Sequence, residues 1–288
     1  MKRILSIVLF SLCMLSTHAK ELKVLAIGNS FSVDAVEQNL YELAKANGDR
    51  IVIGNMHIGG CSLERHYLNL TTDSAAYSYR KIVDGEMVTT EKYTIERAIK
   101  DEAWDIITFQ QVSQDAGIYD TYFPYIEELI HYARENARKR DVSIGLHITW
   151  AYAATSTHSG FANYDKDQMK MYHAIINTAK RVAKETHIDF IIPVGTAIQN
   201  GRTSAIGDLF CRDGFHLELH YGRYTAACTW YETLFGTPVT GNGFIPETVT
   251  PFQAWIAQMA AHCAVINPFA ITSMGKVIHP STDKRKTA

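Results

Sequence analysis

The feature that most constrains this chain is a rhythm. Short apolar, β-branched runs recur at residues 23–27, 51–53 (leading to 57–58), 105–109, 142–148 and 189–194. Their apolar character is nearly continuous rather than alternating, as in strands covered on both faces. Between them lie stretches with apolar residues three and four apart, at 33–47, 94–102, 122–140 and 167–186, and two more follow at 221–234 and 252–266. Those spacings predict helices. Parallel neighbours need a crossover and a helix supplies one, so the alternation predicts a parallel sheet. The expected fold is α/β: a three-layer α/β/α sandwich around a five-stranded, mainly parallel sheet. Residues 77–94 break the rhythm, because Val83-Asp84-Gly85-Glu86-Met87 is a turn signal between extended pieces and predicts a hairpin insertion.

Composition narrows the class. At 47% hydrophobic and 20% charged, 288 residues suffice for a sizeable core. A formal charge of −2 lacks the basic excess of a general nucleic-acid binder. Beyond the N-terminus no apolar run reaches the length of a membrane span. Met1-Lys2-Arg3, the apolar run 4–15 and Ser16-Thr17-His18-Ala19 have the three parts of a secretory signal, with a cut expected after Ala19. The expected location is therefore secreted or periplasmic, with one domain over 20–275 and a loose tail over 276–288. Of the five cysteines, Cys13 lies in the leader. Cys61, Cys211, Cys228 and Cys263 form no Cys-x-x-Cys, so zinc and dithiol chemistry find no support and any pairing stays open.

In an open parallel sheet, ligands gather beyond the carboxyl ends of the strands, so the strand tips are where chemistry is expected. The first ends in Gly28-Asn29-Ser30-Phe31-Ser32 ahead of a helix, a turn that either presents Ser30 to a cleft or uses a serine as a cap. The second ends in Gly59-Gly60-Cys61-Ser62, where paired glycines let a backbone N–H face the cleft. The third ends in Gln110-Gln111, whose uncharged amides suit a developing oxyanion. The fourth runs into Thr149-Trp150-Ala151-Tyr152, aromatic rings that either stack on a sugar face or pack a core. Late in the chain, Asp213-Gly214-Phe215-His216 places a carboxylate three residues before an imidazole, the base and its orienter in one loop. His220 stands four residues further on and raises a His216/His220 metal pair as an alternative.

Taken in order, these blocks resemble the SGNH (GDSL-type) hydrolases over residues 22–235, in a branch whose first block reads Gly-Asn-Ser-Phe-Ser and which is carbohydrate-esterase-like. The resemblance implies a flavodoxin-like sheet, Ser30 as nucleophile, His216 as general base and acid, and Asp213 as its orienter. It also implies an oxyanion hole from the N–H groups of Ser30 and Gly60. Two departures stand out. Asn29 takes the place of the usual Asp, and the third block lacks the usual Gly-x-Asn-Asp, so Gln110 or Gln111 must supply the amide. Trp150 and Tyr152 are the expected substrate-binding aromatics. The implied activity is a secreted serine esterase removing acyl groups, acetyl foremost, from carbohydrate or a similar small ester, without a cofactor or metal. The alternatives are a non-catalytic glycan-binding module on the same scaffold and a His-metal hydrolase.

Overall fold

The computed structural model describes residues 19–276. The expected leader up to His18 and the tail beyond Lys276 lie outside the described residues. The five apolar runs become β1 (Glu21–Gly28), β2 (Arg50–His57), β5 (Ile106–Phe109), β6 (Ser143–His147) and β7 (Phe190–Ile192). They stand in the order β2-β1-β5-β6-β7, and every adjacent pair is parallel. β1 is therefore central, and its carboxyl end faces the switch between the β2 side and the β5 side, where an α/β sheet opens its crevice.

The expectation of five strands is corrected at one edge. Residues 77–94 form β3 (Tyr77–Val83) and β4 (Glu86–Tyr93), and β3 pairs antiparallel with β2 from Ile53↔Ile82 to His57↔Ser78. The sheet of the described residues thus has seven strands, ordered β4-β3-β2-β1-β5-β6-β7. The physical reason lies in β3 itself. Tyr77, Tyr79 and Ile82 are buried, so the segment covers the open edge of β2 with apolar side chains on both of its faces. Asp84 and Gly85 both have positive φ, at 51° and 87°, the two-residue turn that matches strand twist.

Helices flank this sheet. α1 (Ser30–Val36) and α2 (Leu40–Ala46) replace the single helix expected over 33–47, because Asn39 between them has a left-handed φ of 68°. Both pack with α7 (Val194–Arg202), α8 (Tyr221–Phe235) and α9 (Pro251–Ile266) as one group. α3 (Leu63–Thr71), α4 (Ile95–Ile99) and α5 (Tyr125–Asn136) form a second group, and α6 (Gln168–Glu185) joins β6 to β7. α3 and α7 are not among the helices expected from the sequence. In α7 every residue is buried, Thr196, Gln199, Asn200 and Arg202 included, and Gly195 and Gly201 in its nine residues weaken its helix propensity. Cys61, Cys211, Cys228 and Cys263 are all free thiols. Among the described residues no helix is long and apolar enough to cross a membrane.

Candidate active site

The site begins where β1 ends. Gly28 holds its place because a Cβ there would lie 2.6 Å from Ser32 Oγ and 3.0 Å from the Gln110 amide carbon. Asn29 follows as the cap of α1: its Oδ1 accepts from Phe31 N–H at 3.0 Å. Capping thus falls to Asn29 rather than to either serine, and Ser30 becomes the first helical residue, half-buried at the carboxyl end of β1. Asn29 Nδ2 donates to Cys61 O at 3.0 Å, tying the first strand tip to the second.

The loop before α8 meets that serine across 186 residues of sequence. His216 Nε2 lies 2.9 Å from Ser30 Oγ, and His216 Nδ1 lies 2.7 Å from Asp213 Oδ2. Asp213 Oδ1 also accepts the backbone N–H of His216 at 2.7 Å and of Phe215 at 3.1 Å. Burial pushes the Asp213 carboxyl up, but the bonds from the His216 ring and the two N–H groups outweigh it and hold the group below its usual range. Asp213 is therefore an acceptor at neutral pH, which fixes the proton on His216 Nδ1 and leaves Nε2 to take one from Ser30.

What joins loop to helix is Asp34, one turn beyond Ser30 on α1 and fully buried. It accepts Leu217 N–H at 2.9 Å, Arg223 Nε at 2.8 Å and Arg212 Nη1 at 3.1 Å. Arg212 also donates to Leu217 O, and Cys211 bridges to Leu217, so the stretch carrying Asp213 and His216 is closed at its base and anchored to α1. Nothing in the sequence singled out Asp34. Its one signal is the four-residue spacing from Ser30, which puts both on one helix face.

Between these elements lies a cleft of about 280 Å³, walled by Ser30, Gly60, Val112, His158, Phe215 and His216. Gly60 has φ +64° and open space where a Cβ would stand. Neither its N–H nor that of Ser30 is engaged within the described residues, so both are available to an oxyanion. Behind Gly60, Cys61 Sγ lies 3.6 Å from His66 Nδ1, which lies 2.8 Å from the Tyr77 hydroxyl of β3. Burial pushes the Cys61 thiol up to about 12, making it an inert packing group rather than a nucleophile.

The two glutamines correct the sequence expectation of a side-chain oxyanion donor. Gln111 turns away: its Oε1 accepts from Leu63 N and Val112 N, and its Nε2 donates to Thr121 O. Gln110 lies beneath the cleft floor, donating from Nε2 to Asn29 Oδ1 at 2.8 Å and accepting at Oε1 from His147 Nδ1 at 2.7 Å. Burial drives the His147 pKa down to about 3, so its ring is neutral and serves as a fixed donor in this relay. Trp150 and Tyr152 are a second correction. Both are fully buried: Trp150 stacks on Phe31 at 4.1 Å, and the Tyr152 hydroxyl meets Ser113 Oγ at 2.7 Å. Neither ring can offer a face to a sugar. The aromatic surface of the cleft is Phe215, with His158 beside it, and sequence reasoning passed over both. The His216/His220 metal pair finds no third ligand among the described residues, and both ring nitrogens of His216 are already occupied.

Comparison with known proteins bears on the fold. Residues 23–264 match the model of a family described as a domain of unknown function (DUF4886). The crystal structure of a DUF4886 family protein from Bacteroides uniformis is 52% identical, with TM-score 0.87 over 88% of this chain and 98% of that one. A protein from Slackia heliotrinireducens, put forward as an SGNH hydrolase, is 17% identical with TM-score 0.51 over 74% of this chain and 99% of its own. That second likeness is one of fold. No curated protein matches.

Two outcomes test this geometry. Asp34→Ala leaves Arg212 and Arg223 unpaired behind the site and is expected to destabilise the fold by about 3–5 kcal/mol, read by chemical denaturation. His147 and His66 both have pKa values lowered to about 3 in the fold, against about 6.5 in the unfolded chain. The unfolded chain therefore binds more protons between these values, so their contribution is full above pH 6.5 and falls as pH drops toward 3. His147→Gln removes one of the two groups and should flatten the slope of unfolding free energy by up to about 1.4 kcal/mol per pH unit. An unchanged slope would mean His147 is not held neutral in the core.

Proposed function

We propose that this chain, which belongs to the family described as a domain of unknown function (DUF4886), is a serine ester hydrolase. The observation that carries the reading is the unbroken line from Ser30 Oγ through the His216 ring to Asp213, at 2.9 and 2.7 Å, opening on a cleft with two unengaged backbone N–H groups. A binding module has no need of that alignment.

In the reaction, Ser30 Oγ attacks the ester carbonyl carbon while His216 Nε2 takes the hydroxyl proton. The anionic tetrahedral oxygen is held by the Ser30 and Gly60 N–H groups, each contributing about 3 kcal/mol, and Asp213 stabilises the imidazolium. His216 returns the proton to the leaving alcohol oxygen, the C–O bond breaks and an acyl-Ser30 ester remains. Water then attacks this ester, giving its proton to His216, which passes it back to Ser30 Oγ as the free acid departs.

The substrate we propose is a small acyl ester, acetyl foremost, carried on carbohydrate. A cleft of about 280 Å³ has room for a short acyl group, and the fold is shared with the SGNH-type structure. The basic, apolar and small-residue pattern of residues 1–19 supports action outside the cytoplasm.

Ser30→Ala should lower kcat for a short acyl ester by at least about 10³-fold, and adding His216→Ala should cost little more, because the two act as one unit. Turnover near that of the parent protein in the Ser30 variant would end the reading.

A further inference from the structure

With Gln110 and Gln111 both engaged elsewhere, the cleft needs another side-chain donor if it is to select its substrate. Asn29 is held by Cys61, Phe31 and Gln110, and Ser113 Oγ is paired with the Tyr152 hydroxyl. Gln114 and His158 remain on the cleft wall, and of the two His158 has its ring orientation fixed by a hydrogen bond. Its Nδ1 accepts Gly160 N–H at 3.1 Å. Because a backbone N–H can only donate, an imidazole bonded in this way carries its proton on Nε2. The ring is wedged between Tyr152 at 5.0 Å and the edge of Phe215 at 4.8 Å, so it presents one donor in one direction.

Position decides which part of a substrate that donor meets. The N–H groups of Ser30 and Gly60 lie at the tips of β1 and β2 and receive the carbonyl oxygen. His158 stands on the other wall, after β6, and shares Phe215 with His216, whose ring centroid lies 4.1 Å from that phenyl. The leaving alcohol must sit at His216 Nε2 to receive its proton, so the alcohol portion of the ester extends toward Phe215 and His158.

We infer that His158 is a specificity-determining residue, its Nε2–H donating to an oxygen of a polyhydroxylated alcohol while Phe215 offers that alcohol an apolar face. This rests on the esterase reading and deepens it: the cleft selects esters of sugars over esters of simple alcohols. His158 takes no proton in the reaction, and its contribution is binding.

The test compares two acetyl esters, an acetylated methyl glycoside and p-nitrophenyl acetate, in the parent protein and in His158→Phe and His158→Gln. His158→Phe keeps an aromatic ring against Tyr152 and Phe215 but deletes the donor, whereas His158→Gln keeps a side-chain N–H. A lost hydrogen bond corresponds to about a tenfold effect. His158→Phe should therefore raise KM for the glycoside ester by about tenfold with kcat little changed, leave p-nitrophenyl acetate hydrolysis within twofold, and be partly rescued in His158→Gln. Labelling of Ser30 by a fluorophosphonate at the parent rate checks that the relay is intact in each variant. Equal losses on both esters, or no loss on either, would overturn the role of His158 while leaving the esterase reading in place. A parent protein that neither turns over ester nor labels at Ser30 would overturn both.

Discussion

One buried carboxylate holds this protein's working parts in register. Asp34 has almost no solvent exposure, and it receives two guanidinium groups and one backbone N–H from a segment nearly two hundred residues downstream. A charge in that position is costly to bury and is stabilised only when its lone pairs are matched. Here they are matched by Arg212, Leu217 and Arg223, which bracket Asp213 and His216. Serine and histidine meet because the helix beginning at one and the loop carrying the other share this ionic anchor. Hydrophobic burial assembles the sheet, but it is non-directional and would not by itself set a 2.9 Å approach.

A second, neutral network fixes the floor. His147, Gln110 and Asn29 form a chain of donors and acceptors that ends at the cap of α1 and at the carbonyl of Cys61. An amide at residue 29 can accept from Phe31 and Gln110 while donating to Cys61, whereas a carboxylate could only accept. The Asn at this position thus matches the Gln of the third strand tip. The two departures from the resembled pattern belong to one substitution of hydrogen-bonding logic.

Much of this was legible in the chain. Continuous apolar runs gave the five parallel strands, and Gly-Asn-Ser with Asp-x-x-His gave the residues that the fold brings together, because local turn chemistry and a short loop spacing determine both. The rest was not, for reasons of geometry. Two adjacent glutamines follow different directions once the strand ends, and sequence carries no sign of which hydrogen bonds engage each. Trp150 and Tyr152 sit at a strand tip yet point into packed aromatic surroundings. Asp34 acts through partners far away in sequence, and α7 is a short helix with glycines at 195 and 201 whose polar residues are buried along with its apolar ones.

The antiparallel ribbon at the sheet edge has a consequence beyond covering β2. Through Tyr77 it reaches His66, and through His66 the thiol of Cys61, the residue that follows Gly60. The Gly60 turn on the cleft wall is thus buttressed from the back by what looks, in outline, like an appendage. A change in the length or packing of that ribbon would be transmitted to the cleft rim, so the periphery of this sheet bears on the shape of its centre.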